Sequence, residues 1–153
     1  MIRFFNWLVE SPWSQAFAER EWLFPVVQSL HFIGFAFLIG TIALVDLCLL
    51  GLALNRQKAA ELSADLEPCK WAGLATMLST GFLMFSTSAN AYHYNLSFRF
   101  KMICLMLALL FHFTVRRQAL RPGTSGVVAK LAGATSLLLW TAVVAGGRFI
   151  AFV

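Results

Sequence analysis

The chain has 153 residues, of which 59% are hydrophobic, and its mean hydropathy is +0.75. A soluble domain of this length cannot hide so much apolar surface, because small domains leave much of their area exposed, whereas a bilayer is itself an apolar solvent. The net charge of +5 does not mark a nucleic-acid binder, since the basic residues are dispersed and gather only at the ends of apolar runs, where the positive-inside rule puts them.

Residues 1–21 lack the uninterrupted apolar stretch of a signal peptide, because Asn6, Glu10, Ser11 and Pro12 break it. Ile2, Phe5, Leu8 and Val9 recur at helical spacing, and Ser11-Pro12 is an N-cap followed by a first-turn proline. One or two short amphipathic helices lying in the membrane interface are expected, with Trp7, Trp13 and Trp22 as anchors.

Residues 22–153 read as an all-α, four-helix transmembrane bundle with spans at about 23–54, 71–89, 98–115 and 127–147. The first span is longer than a bilayer requires, has Pro25 near its start and carries His31 and Asp46 in its apolar run. Residues 55–70 form a polar loop with a short amphipathic helix. The second span is rich in small and hydroxyl residues, and Gly73, Met77 and Gly81 share a face that lets a neighbour approach closely. The third span ends at Arg116-Arg117, a turn follows at residues 121–126, and the fourth span ends near Gly146-Gly147-Arg148.

Seven of the twelve Lys and Arg residues fall in or beside the loops after spans one and three: Arg56, Lys58, Lys70, Arg116, Arg117, Arg121 and Lys130. That bias places both loops in the cytoplasm and both termini outside. Cys48, Cys69 and Cys104 have neither metal-binding nor disulfide-framework spacing.

Ionisable groups within a membrane need a partner or a purpose. His31 lies roughly 8 Å along its helix from the outer end of span one. It reads either as a haem or metal ligand or as a hydrogen-bonding residue that packs two helices. Arg99, Lys101 and Arg148 are cations on the same side, suited to haem propionates, with Tyr92 and His93 in the adjoining loop. Gly34, Phe35, Gly81, Phe82 and Trp140 are candidates to flank a macrocycle. Haem b is the expected cofactor, with His31 on the iron and His93 or Lys101 as the second ligand; Met84, Met106 or an open position are alternatives. His112 lies roughly 21 Å deep, too far from the level of His31 to share one iron, and is read as interfacial. Asp46 is expected in a structural ion pair with Arg116 or with Arg56, Arg117 or Lys130. Met77, Met84, Met102 and Met106 suggest copper through their thioethers, although Met is ordinary filler in membrane helices.

His31-Phe-Ile-Gly34, Gly40, Val45-Asp46 through Gly51, Thr80-Gly81 through Phe85, Tyr92 to Asn95, Phe98, Lys101 and Met102 together resemble small bacterial four-helix inner-membrane proteins of uncharacterised function. The helix-one His and helix-three Lys are also distantly similar to the haem-containing membrane protoporphyrinogen IX oxidase family and to the copper-resistance D-type membrane domain. The first of these likenesses implies haem b on His31, with Lys101 near the iron or propionates. The expected function is an electron-transfer or oxidoreductase role, working with other membrane subunits or a periplasmic redox partner. The alternatives are a non-enzymatic subunit or anchor of a membrane complex, and copper handling.

Overall fold

The computed structural model describes residues 2–53, 59–87, 89 and 95–149. Among them every regular element is helical: α1 Ile2–Val9, α2 Pro12–Ala18, α3 Leu23–Leu50, α4 Ala59–Asp65, α5 Glu67–Thr87, α6 Leu96–Ala119 and α7 Gly126–Phe149. α3, α6 and α7 are long and apolar enough to cross a membrane. The 28 residues of α3 extend about 42 Å at ~1.5 Å per residue, against about 30 Å of hydrocarbon. Their outward faces are apolar: Phe32, Ile103 and Leu138 are 60, 60 and 71% exposed. Side chains of this kind belong against lipid, and the chain is a multi-pass membrane protein. α5 is long enough to cross but falls outside this set, because Glu67, Lys70 and its glycines and hydroxyl residues dilute its apolar character.

The helix ends follow local chemistry. α3 stops at Leu50, short of the expected residue 54, because Gly51 takes a positive φ of 78°. The Gly51 amide then donates to Cys48 O and the Leu52 amide to Leu47 O, the paired bonds that close a helix on a left-handed glycine. Ser11 caps α2 with an extended backbone and Pro12 at the first helical position. Its hydroxyl turns back to Leu8 O at 2.6 Å, satisfying a carbonyl at the end of α1. Pro122 and Gly123 (φ 85°), with the Thr124 amide on Arg121 O, make the turn between α6 and α7 in the manner of a type II turn.

The chain divides into two compact units. The first comprises residues 1–38 and 69–95. Leu8, Ser11, Ser14 and Phe17 are buried at three-residue spacing, and Ser14 donates to Ser86 O at the C-terminal end of α5. Trp7 and Trp13 meet edge to face at 5.8 Å and stay exposed, as does Trp22. The α3–α5 seam closes on glycine: a Cβ on Gly73 would lie 2.8 Å from both Gly34 O and Leu38 N.

The second unit comprises residues 39–68 and 96–153. Cys48, Leu49, Ala59 and Ala129 form a small core. α6 and α7 run antiparallel, with Lys101 near the start of one against Gly146 and Gly147 near the end of the other. α6 is interrupted by one π-helical segment, His112–Arg116.

Candidate functional site

His31 sits in the first unit, one turn before Gly34, and points across the seam to α5. Its Nδ1 is 2.9 Å from Thr80 Oγ1. The Thr80 hydroxyl donates its single proton within its own helix, to Thr76 O with a longer approach to Met77 O. It therefore accepts from His31, so the imidazole carries its proton on Nδ1 and its lone pair on Nε2. Gly81 provides the space beside the ring, since a Cβ there would stand 3.2 Å from His31 Cε1. The seam that holds His31 is closed one turn away. A Cβ on Gly34 would come within 2.9 Å of Thr76 Cβ, so Gly34 faces a protein neighbour and not a macrocycle.

Arg99, Lys101 and Arg148 belong to the second unit. Lys101 is partly buried along α7, where the bare backbone of Gly147 leaves room for its stem; a Cβ there would lie 3.5 Å from Nζ. Arg148 follows directly and Arg99 lies two residues before Lys101, so the three cations gather at one end of the α6–α7 hairpin, with Arg99 and Arg148 exposed. His93 and Tyr92, and the loop cations Arg56 and Lys58, lie outside the described residues. Met77 is buried, whereas Met102 and Met106, one turn apart, are exposed on α6. Among the described residues no three His, Cys, Asp or Glu side chains gather to hold a metal.

His112 is buried within the protein, and its ring meets Phe113 edge to face at 5.3 Å. Cys104, Ala108, His112 and Arg116 are all buried, yet steps of four residues advance ~40° around an α-helix and would drift ~120° over three steps. The wider turn between His112 and Arg116 takes up one extra residue and returns Arg116 to the inward face.

Arg116 reaches Asp46 of α3. Its Nε lies 2.6 Å from Asp46 Oδ1, and its Nη2 donates to Ile42 O at 3.4 Å. Asp46 is 0% and Arg116 2% exposed. Gly133 of α7 presses on the same turn of α3, where a Cβ would meet Asp46 O at 2.9 Å, and Ser136 bears on the carboxylate one turn later. Sequence reasoning missed Gly133 and Ser136, because a glycine and a serine in an apolar run carry no mark of the charge they face.

A family model described as a family of unknown function (DUF6644) matches residues 20–153. No curated protein and no solved structure matches the chain.

Proposed function

The chain belongs to the family of unknown function DUF6644, and for this member we propose a haem b-binding membrane protein in an electron-transfer or oxidoreductase role, in which His31 would hold the haem iron. The observation that carries this reading is the His31–Thr80 bond. A histidine that holds a metal commonly donates its other ring N–H to a fixed acceptor, which sets its tautomer and orientation. Thr80, anchored to its own helix backbone, is such an acceptor and puts the lone pair on Nε2. Bound there, haem would supply one-electron chemistry. The chain's own part is to orient the imidazole, through Thr80, and to give the ring room, through Gly81. The distant likeness of the helix-one His and helix-three Lys to a haem-containing family points the same way. In this reading α5 is a fourth, less apolar crossing of a bacterial inner membrane, with both termini in the periplasm.

The competing reading makes His31 a packing residue of a membrane subunit without a chromophore. The same hydrogen bond beside the closed Gly34–Gly73 contact favours it. An absorption spectrum of protein purified from haem-replete cells separates the two. A Soret band is expected, and His31→Ala is expected to abolish it. A colourless protein, or a band that survives His31→Ala, sinks the haem reading. Copper found in place of iron by metal analysis would replace it with copper handling.

Thr80→Val is close in volume and removes the hydroxyl that accepts from His31, together with its own bond to Thr76 O. It is expected to weaken haem binding by about 10- to 100-fold, the usual cost of losing the group that orients a liganding histidine. Haem titration of the apoprotein measures it, and unchanged affinity would show that Thr80 plays no part in the site.

A further inference from the structure

Three buried polar atoms of the second unit find no hydrogen-bond partner among the described residues: Asp46 Oδ2, Ser136 Oγ and Trp140 Nε1. Their residues are 0, 1 and 3% exposed. They also form a series. Gly133 sets α7 against the Asp46 turn of α3, Ser136 follows it by one turn and bears on the carboxylate, and Trp140 lies one further turn along the same buried stripe.

A buried polar atom left unpaired is costly, and three of them, one on α3 and two on the face of α7 packed against it, call for a common partner. The chemistry of the three atoms selects it. Trp140 N–H is a donor only, ionised Asp46 Oδ2 an acceptor only, and the Ser136 hydroxyl either. The partner must therefore accept at one end and donate at the other. A cation would face the Arg116 guanidinium and the indole N–H, an anion would face the Asp46 carboxylate, and an apolar group would leave all three atoms unmet. We propose that the space between Asp46, Ser136 and Trp140 is an internal water-binding site. There one or two waters accept from Trp140 Nε1–H and connect it, through Ser136 Oγ, to Asp46 Oδ2. Buried waters take two to four such partners, and these three side chains supply them on helices held together at Gly133. The hydrated line makes the inner end of the Asp46–Arg116 pair polar, although apolar helix surface surrounds it. The inference is independent of the haem reading, because it concerns the second unit and needs no chromophore.

Nuclear magnetic resonance of the full chain in micelles, with 15N-labelled tryptophan, tests it. The five indole signals are separable, and Trp140→Phe identifies the one that matters. A cross-peak between water and the Trp140 indole proton is expected in the wild-type protein. It should be lost in Ser136→Val, whose methyl groups fill the site, while the other four indole signals keep their positions. If Ser136→Val does not fold, hydrogen exchange of the Trp140 indole in the wild type replaces it, with exchange into D2O expected while the native helices persist. Either of two results overturns the proposal: a Trp140 indole proton with no water contact and no exchange in the native protein, or a cross-peak unchanged in a folded Ser136→Val variant.

Discussion

Arg116→Ala is expected to destabilise the protein by about 3–5 kcal/mol, the range for removing one partner of a buried ion pair. The loss of the 2.6 Å contact is the smaller part of the effect. The larger part is the ion left behind, since Asp46 is 0% exposed and its Oδ2 makes no hydrogen bond among the described residues. Asp46→Ala should cost a similar amount by stranding the guanidinium, whose remaining contact is Ile42 O. The double replacement Asp46→Leu with Arg116→Met removes both charges, keeps the volume, and is expected to recover most of the loss, because an apolar pair pays no desolvation penalty. Equilibrium unfolding in mixed micelles gives all four values. A single variant within about 1 kcal/mol of wild type, the scale of an exposed pair, would show that the charges reach water.

Gly73→Ala should weaken the first unit by about 1–3 kcal/mol, the cost of overpacking a tight contact. The new methyl meets Gly34 O and Leu38 N at 2.8 Å. Both are backbone atoms of α3, so no rotamer change relieves the clash and the helices must move apart, taking His31 from Thr80. Gly40→Ala is the control. Nothing lies within 4 Å of a Cβ there, so the better helix propensity of alanine should leave stability unchanged or raise it by up to about 1 kcal/mol. The same unfolding assay decides it, and equal effects at the two positions would remove the seam from the account.

The helices were legible in the sequence because lipid demands long apolar runs, and the turns were legible where glycine and proline dictate backbone angles. Residues 51–54 continue the apolar composition past the end of α3, so composition alone does not mark the left-handed glycine that stops the helix. α5 has the length of a span, but its small and hydroxyl residues, suited to close packing, dilute its apolar character. Asp46, Arg116 and His31 stood out as ionisable groups in apolar surroundings. Their neighbours Thr80, Gly133 and Ser136 did not, because small residues acquire their meaning from a distant segment. The docking of Ser14 on Ser86 was hidden for the same reason. The π segment did leave a trace: polar residues at positions 112 and 116 continue a four-residue spacing that an α-helix cannot keep on one face.

That segment sets the register of the last turns of α6. A π turn is an α-helix holding one residue more than its hydrogen-bonding pattern needs. Everything from Arg116 to Ala119 is thereby indexed one step, about 100°, around the axis relative to the residues before His112. Returning the extra residue to a regular α turn would swing the guanidinium off Asp46 and toward the lipid, while the turns from Leu96 to Phe111 kept their packing on α7. The extra residue of α6 and the buried charge pair therefore go together, the wider turn being what aims Arg116 at Asp46.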